Sequence, residues 1–391
     1  MRNRWFVLAV LFTVRLTMAF QFQSVAAVAP LLTGAFGVSL ADLGVLIGLY
    51  FAPGIALSLP GGAIGKRFGD KWTVIGALLL MLMGQLAMVL SDSWSVQIAG
   101  RLVSGAGGVM LNVQMTKMVA DWFAAGNIAT AMAIFVNSWP AGIAVSLLTL
   151  PLIGSTSGIS AVYLAVVVLI ALALVLFAAV YKAPASTETT EPASVAASLP
   201  LDRNGLLAVI VAGLMWGLFN LGFAMIFSFG PSMLAERGWT IPAAGSAISI
   251  VLWLAVVSVP LGGFVADRSG RPSLILVGGC IIFAMAMIAL PRSDAVIVIV
   301  VALGLISGQP AGPILSLPAR VLKPQTRAIG MGIFYTLYYL TMMLGPAAAG
   351  AYAKWSGSAG AAFDFGAAVL LCCPALYLVF NRFPAAQPKL T

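Results

Sequence analysis

The residue with the clearest potential for chemistry is Arg15, which lies in the middle of the apolar segment LFTVRLTMAFQFQ. A charge at the centre of a bilayer costs roughly 2.5–3.5 kcal/mol on insertion scales, and arginine keeps its proton. Its guanidinium suits a carboxylate or a similar oxyanion, to which it can donate two parallel hydrogen bonds. Ten of the eleven acidic residues fall in loops or at segment ends, and Asp364 enters a segment by only about one turn. An arginine without a carboxylate at its depth predicts an anion-binding site.

Other polar and aromatic side chains of the apolar segments are candidates for the same site. Phe22 lies on the helical face of Arg15, and Asn112 lies on the face of a second intramembrane arginine, Arg101, for which we predict a structural or conformational role. The candidate substrate-binding residues are Arg15, Phe22, Gln23, Asn112, Asn137, Trp216, Asn220, Gln309, Tyr335 and Tyr338. A structural role for Arg15 stays open, with its guanidinium bonded to backbone carbonyls or to Gln23.

Composition identifies the elements that position these residues as membrane-spanning helices. The chain has 391 residues, of which 61% are hydrophobic and 8% charged, with a mean hydropathy of +1.07. Soluble domains carry about 25% charged residues. The twelve predicted spans, each long enough to cross the bilayer core, are 5–33, 40–64, 72–91, 95–122, 127–152, 160–181, 205–235, 241–265, 273–291, 295–321, 327–352 and 360–381. The predicted fold class is therefore an all-α polytopic membrane protein.

Glycines and prolines within the spans predict close packing and bends. The pairs Gly44 with Gly48 and Gly304 with Gly308 are four residues apart, a spacing that lets helices approach closely. Prolines free backbone carbonyls and bend helices. The predicted bending points are Pro53, Pro140, Pro310, Pro313 and Pro346.

The basic residues predict the orientation in the membrane. With the N-terminus inside, fifteen of the 20 lysines and arginines fall on the cytoplasmic side, three fall outside, and two lie within spans. Cytoplasmic loops carry such an excess, so both termini are predicted to be cytoplasmic, in a bacterial-type inner (plasma) membrane. The net charge of +9 then reflects the excess of basic residues in cytoplasmic loops, and no nucleic-acid partner is expected.

Several functional classes lack the residues that they need. The chain has no histidine, and its three cysteines all lie in apolar spans, so no metal site and no cofactor is expected. No phosphate-binding Gly-x-x-x-x-Gly-Lys-[Ser/Thr] motif is present. No nucleophile–base arrangement is recognisable either, so we do not expect an enzyme.

The chain divides into two related halves. The hydrophilic stretch YKAPASTETTEPASVAASLPLDR separates residues 1–181 from residues 205–391, and residues 182–204 are predicted to be a cytoplasmic linker. GAIGKRFGDK (62–71) follows the second span, and GFVADRSGRP (263–272) follows the eighth in a similar pattern. Pro30 and Pro231 close the first span of each half, which places Trp216 at the position equivalent to Arg15.

These motifs resemble those of the major facilitator superfamily over essentially the whole chain. GFVADRSGRP matches the loop signature of that family closely, RLVSGAGG resembles its fourth-span element, and Lys66 departs from the usual aspartate of the first loop. The resemblance implies two pseudo-symmetric six-helix halves and alternating access. It also implies a gating set, comprising Gly62, Gly69, Asp70, Arg101, Asp267, Arg268 and Arg271. RLTMAFQFQSVAAVAPLL and VNSWPAGI resemble the cyanate permease-like branch.

The expected function is secondary active or facilitative transport of a small anion, either an organic carboxylate or a small inorganic anion. The expected partners are that anion, the lipid bilayer, and a coupling ion that is a proton or an exchanged anion; we expect a monomer. The alternative is a proton-coupled exporter of multiple drugs or of cationic or neutral solutes. Such an exporter is expected to carry a buried carboxylate, which the spans lack at the depth of Arg15.

Overall fold

The computed structural model describes residues 3–57, 67–123, 127–181, 202–323 and 326–384. Up to Val180 it contains α1 (Arg4–Ala27), α2 (Ala29–Phe36), α3 (Leu40–Leu49), α4 (Ala52–Leu57), α5 (Asp70–Val89), α6 (Trp94–Trp122), α7 (Ile128–Val136) and α8 (Ser138–Val180). From Arg203 it contains α9 (Arg203–Glu236), α10 (Ile241–Ser269), α11 (Pro272–Ala289), α12 (Val296–Ser307), α13 (Ala311–Val321), α14 (Arg327–Ser356) and α15 (Ala361–Phe380), with a 3₁₀ turn at Leu290–Arg292. These described residues are helical throughout, with no strand.

The helices form the twelve predicted spans. Nine stretches of described residues are long and apolar enough to cross a membrane, and one of them, 130–180, is long enough to cross twice. This stretch reverses at Gly158, and its end returns to α6, where the Trp122 indole donates to the Tyr181 hydroxyl over 3.3 Å. The long helices α6 and α14 supply the remaining two spans. The described fold is that of an all-α integral membrane protein.

The predicted loop between spans five and six is reduced to a single residue. Gly158 has φ +79° and ψ 179°, a conformation that only glycine adopts at no steric cost, and helical residues flank it on both sides. Gly154 and Val162, one turn before and after it, lie in contact. Spans five and six therefore form a hairpin with almost no connecting loop.

Four spans consist of two helices that meet at a break. The pairs are α1 with α2, α3 with α4, α7 with α8, and α12 with α13. Breaks next to Pro53, Pro140 and Pro310 confirm three predicted bending points, whereas Pro346 lies inside the continuous helix α14. Each break exposes backbone carbonyls inside the bundle, where water cannot satisfy them.

The repeated loops both place a glycine with positive φ shortly before the next helix. Gly69 has φ +77° and directly precedes α5, and Gly270 has φ +62° and lies two residues before α11. Both glycines supply a left-handed conformation that other residues rarely adopt. The predicted gating residue Gly62 lies outside the described residues.

The two halves pack most closely at one end of the bundle. We call this the far end; it carries residues 36–40 and 236–240, and the opposite end, which carries both described chain termini, is the terminal end. A Cβ atom on Gly44 would overlap the carbonyl of Pro346, and one on Gly48 would overlap the carbonyl of Met343. The other half-to-half approaches at glycines near this end pair Gly350 with Leu40 and Gly245 with Leu147. The described conformation is therefore closed at the far end.

Enlarging Gly48 is expected to open the far end. Gly48→Leu cannot fit against the α14 backbone, so spans two and eleven must separate. Spin labels at Gly34 and Ser356, both exposed near this end, are expected to report a longer distance. Gly76→Leu is the matched control, because no atom lies within 4 Å of a Cβ there. An unchanged distance in Gly48→Leu would contradict a role for this contact in closure.

Candidate functional site

Arg15 lies inside the bundle and donates hydrogen bonds to two other spans, the fourth and the fifth. Its Nε donates to the Asn112 side-chain oxygen on α6 over 3.0 Å. Its Nη1 donates to the carbonyls of Phe135 and Val136 over 3.0 Å each and to the Ser138 hydroxyl over 3.1 Å. The guanidinium also lies 4.7 Å from the centre of the Phe135 ring, and the residue is only 8% exposed. The open alternative, in which Arg15 bonds to backbone carbonyls, is thus confirmed for one edge of the guanidinium.

One of the two carbonyls that Arg15 binds is available because of a proline. Pro140 has no N–H, so the carbonyl of Val136, four residues earlier, has no helical donor. The break between α7 and α8 falls at this point, at Asn137. An arginine at this depth supplies the missing donor, which water would otherwise have to provide. Arg15 therefore stabilises the broken fifth span.

The remaining edge of the guanidinium is formed by Nη2. Nη2 has no hydrogen-bond partner among the described residues. Tyr335, Tyr338 and Tyr339 of α14 lie within electrostatic range of Arg15. Trp216 of α9, the position equivalent to Arg15, packs against Tyr338 with ring centres 6.4 Å apart. A positively charged edge beside tyrosine hydroxyls can bind an oxyanion.

An aromatic layer separates this region from the far end. It consists of Phe22, Phe51 and Trp139 from the first half and Phe227, Tyr338 and Tyr339 from the second. Phe22 contacts Phe227 across the two halves with ring centres 6.1 Å apart, and Phe51 contacts Tyr338 at the same distance. Such ring pairs add about 0.5–1.5 kcal/mol each beyond burial. The layer gives the site an apolar, water-excluding wall.

Arg101 has a different environment, without any exposed edge. It is 0% exposed and donates through Nε to the Leu46 carbonyl over 3.1 Å. Its two terminal nitrogens donate to the carbonyls of Gln21 and Phe22. The Leu46 carbonyl lacks its helical donor because the Tyr50 N–H bonds to Gly48 at the break between α3 and α4. Arg101 therefore joins spans one, two and four.

The structure separates the other predicted site residues into two groups. Asn112 bonds to Arg15, Tyr335 and Tyr338 lie near it, and Trp216 packs against Tyr338. Phe22 lies instead beside Arg101, whose guanidinium is 5.5 Å from its ring centre, and Gln23, Asn220 and Gln309 are also engaged elsewhere. Gln23 donates to the Phe227 carbonyl over 2.7 Å, which Pro231 leaves without a helical donor. The open alternative of a bond between Gln23 and Arg15 is therefore not found in this conformation.

The amides of Asn220 and Gln309 bond to their own helices. Asn220 donates to the Trp216 carbonyl over 2.8 Å, and Gln309 donates to the Leu305 carbonyl over 3.2 Å. The Gln309 backbone packs at Gly262 of span eight, away from Arg15. Asn137 is half-buried at the helix break itself. The presence of a polar residue in a span was thus not enough to predict that its side chain lies near Arg15.

Four of the predicted gating residues, Gly69, Asp70, Arg268 and Arg271, lie at the terminal end, each within its own half, whereas Arg101 lies inside the first half. Asp70 accepts hydrogen bonds from Gln114 and Lys117, and Lys117 also pairs with Asp121. Arg268 is exposed beside the Phe264 ring, and Arg271 is an exposed residue at the start of α11. The side chain of Asp267 lies outside the described part of the chain. No contact between halves is found for the described members of this set at the terminal end.

Two side chains around Arg15 were not among the predicted site residues. They are Ser138, whose hydroxyl accepts a hydrogen bond from Arg15, and Tyr339, which lies within electrostatic range of it. Pro140 is the signal that predicts the free carbonyl, and the motif FYTLYY already contains Tyr339. Within the described residues, no group of three or more potential metal-ligating side chains is found.

Comparison with known proteins identifies the family. The sequence profile of the Major Facilitator Superfamily matches residues 11–232 and 206–390. The chain belongs to this superfamily.

Its curated relatives include named transporters. A hexuronate transporter of Bacillus subtilis (strain 168) is 24% identical over 252 residues, which cover 61% of this chain and 58% of that protein. A putative tartrate transporter of Agrobacterium vitis is 26% identical over 201 residues, which cover 50% of this chain and 42% of that protein. The chain thus spans less than two thirds of the length of these relatives.

A solved structure supports the same fold. A bacterial homologue of the human lysosomal transporter Spinster, described as inward-facing and occupied, superposes with a TM-score of 0.75. The match covers 98% of both chains at 16% sequence identity. The likeness at this identity concerns the fold alone.

Proposed function

We propose that this protein carries a small organic anion across the membrane by alternating access, as a secondary active or facilitative transporter. Arg15 is the anion-binding residue, and its Nη2 edge is the part that meets the substrate. The single observation that carries the proposal is that Nη2 has no partner among the described residues, while three tyrosines of the other half lie within electrostatic range of Arg15.

The named relatives favour a particular class of anion. Hexuronates and tartrate are both carboxylates that carry several hydroxyl groups. Arg15 suits the carboxylate, and the hydroxyls of Tyr335 and Tyr338 can donate to or accept from substrate hydroxyls. The substrate proposed here is therefore a hydroxylated carboxylate. A small inorganic anion, as the resemblance to the cyanate permease-like branch implies, is the second candidate for the same site.

The proposed cycle follows from the closed far end. Residues 1–181 and 205–391 are the two moving halves, and residues 182–204 link them. With both termini in the cytoplasm, as the basic residues predict, the described conformation closes the outer side. The set at Gly69, Asp70, Arg268 and Arg271 is then proposed to join the halves at the inner side in the opposite conformation. Protons or exchanged anions are the proposed coupling ions, and the functional unit is proposed to be a monomer.

A binding screen tests this function. Thermal unfolding of the purified protein is measured with a hexuronate, tartrate, cyanate, a neutral hexose and a lipophilic cation. The carboxylates are expected to raise the unfolding temperature and to exchange across proteoliposomes. A response to the cation without any response to an anion would contradict the proposal and favour the exporter. A response to cyanate alone would replace the hydroxylated carboxylate by an inorganic anion.

Cysteine labelling tests the orientation. A membrane-impermeant thiol reagent applied to sealed cells is expected to label cysteines introduced at Asp92 or Glu236, which lie at the far end. A cysteine introduced at Asp202, which lies at the terminal end, is expected to react only after the cells are opened. Labelling at Asp202 in sealed cells would reverse the proposed orientation.

A further inference from the structure

Spans two and eleven approach each other along a row of three glycines of the first half. Gly44 and Gly48 of α3 lie against the backbone of α14. Gly54 of α4 lies against a side chain instead, because a Cβ atom at this position would overlap the ring of Tyr339. The ring of Tyr339, a residue of the second half, therefore occupies a groove that Gly54 leaves in the first half.

Of the three contacts, that of Tyr339 lies closest to the terminal end. Tyr339 is 6% exposed, whereas Tyr335, one helical turn nearer to the terminal end, is 38% exposed. On the first half, the ring of Phe51 packs beside Tyr339, with ring centres 6.3 Å apart. The row of contacts that closes the far end therefore reaches as far as Tyr339.

The hydroxyl of Tyr339 connects this groove with Arg15. The Asn112 side chain of α6 forms a hydrogen bond with Tyr339, and the same side chain accepts a hydrogen bond from Arg15 Nε over 3.0 Å. The other bonds of the guanidinium are made by Nη1 to the fifth span. Because a planar guanidinium is oriented by bonds at two of its nitrogens, Asn112 helps to fix the direction of the unpartnered Nη2.

These contacts depend on the two halves being close together. Tyr339 belongs to α14, whereas Gly54, Asn112 and Arg15 belong to the first half. Separation of spans two and eleven withdraws the ring of Tyr339 from its groove and the hydroxyl from Asn112. Asn112 is then free to rotate about its side-chain bonds, and Arg15 Nε loses an acceptor of fixed position.

We propose that Tyr339 is a positioning residue that completes the anion site when the far end closes. Its ring docks in the groove at Gly54, and its hydroxyl holds Asn112 in the orientation that keeps Nη2 of Arg15 available to the substrate. This inference rests on the proposed function, since Arg15 is the anion-binding residue in it, but the docking of the ring is measurable without a substrate.

Filling the groove tests the docking of the ring in purified full-length protein. Gly54→Leu is expected to displace Tyr339 and to lengthen the distance between spin labels at Gly34 and Ser356. Combining Gly54→Leu with Tyr339→Ala is expected to restore the wild-type distance, because the smaller side chain leaves room for the leucine. Gly48→Leu with Tyr339→Ala is the matched control and should stay open, since Gly48 meets the backbone of α14. A Gly54→Leu, Tyr339→Ala variant that stays open would overturn the proposal.

Tyr339→Phe tests the hydroxyl and leaves the volume of the ring in place. The variant is expected to keep the wild-type label distance and to bind a confirmed anionic substrate about three- to tenfold more weakly. Tyr352→Phe, at an exposed tyrosine of the same helix, is the matched control and should bind like the wild type. Unchanged affinity in Tyr339→Phe would overturn the positioning role.

The same substitution in an open background separates positioning from a general structural role. In Gly48→Leu, where spans two and eleven are apart, Tyr339 no longer reaches Asn112, so Tyr339→Phe is expected to cause no further loss of affinity. An equal loss in both backgrounds would show that the hydroxyl does not act through closure and would overturn the proposal. If neither carboxylates nor cyanate bind at all, the proposed function fails and the positioning role with it, whereas a restored distance at Gly54 still upholds the docking of the ring.

Discussion

Arg101→Met is expected to destabilise the fold severely. The substitution keeps the length of the side chain but removes every donor, so the carbonyls of Leu46, Gln21 and Phe22 lose a bond in a fully buried position. The Leu46 carbonyl is left with no donor, and each such buried group costs about 1–3 kcal/mol. A total of roughly 3 kcal/mol is a large share of the 5–15 kcal/mol that typically separates folded from unfolded protein. We expect a much lower yield of monodisperse protein and a lower unfolding temperature.

Arg203→Met is the matched control for this measurement. Arg203 is an exposed arginine at the start of α9, and its loss removes the same charge without a buried bond. The control is expected to unfold close to the wild-type temperature. If Arg101→Met were as stable as Arg203→Met and yet inactive in transport, Arg101 would act in the conformational cycle and not in folding.

Arg15→Ala is expected to weaken anion binding by about tenfold to hundredfold. The estimate corresponds to the loss of charge-assisted hydrogen bonds worth roughly 1.5–3 kcal/mol. Arg15→Lys retains the positive charge but cannot donate two parallel hydrogen bonds to a carboxylate, so it is expected to recover only part of the affinity. Because Arg15 also holds the carbonyls of Phe135 and Val136, both variants are expected to be less stable without ligand. The informative quantity is therefore the shift in unfolding temperature that saturating anion produces in each variant.

Ser138→Ala separates the two roles of Arg15. It removes one acceptor of Nη1 and leaves the charge and the Nη2 edge in place. Its anion affinity is expected to stay within a few-fold of wild type. If Arg15→Ala bound a confirmed anionic substrate with unchanged affinity, Arg15 would be a structural residue and the proposed site would lose its main support.

The twelve spans could be predicted because apolar length and turn residues are local properties. That Gly44 and Gly48 would lie in a close helix–helix contact was predictable for the same reason. The helix that they contact, α14, was not predictable. The helix breaks near Pro53, Pro140 and Pro310 follow from the missing backbone N–H of proline, and the prolines can be read directly from the sequence. Pro346 shows the limit of that rule, because the surrounding packing keeps α14 continuous.

The partners of the polar side chains could not be predicted, since they depend on which helices become neighbours. Arg15, Gln23 and Arg101 each donate to a carbonyl that a break or a proline frees in another span. The sequence shows the donors and the prolines separately, but it does not pair them. The sequence therefore leaves Gln23 open as a partner of Arg15 on the same helix, whereas its partner lies on α9 in the other half.

The bond between Arg15 and the fifth span connects the proposed anion site with the closed far end. The helix that begins at Ser138, beside Arg15, continues to Leu147 and Pro151, where it packs against Gly245 of span eight. A single helix thus touches the proposed anion site at one end and the closed contact at the other. If a bound anion favours one placement of this helix, the closed contact must in turn favour or oppose the anion by the same free energy, because thermodynamic coupling is reciprocal. Substitutions at Leu147, which never meets the substrate, are then expected to change anion affinity.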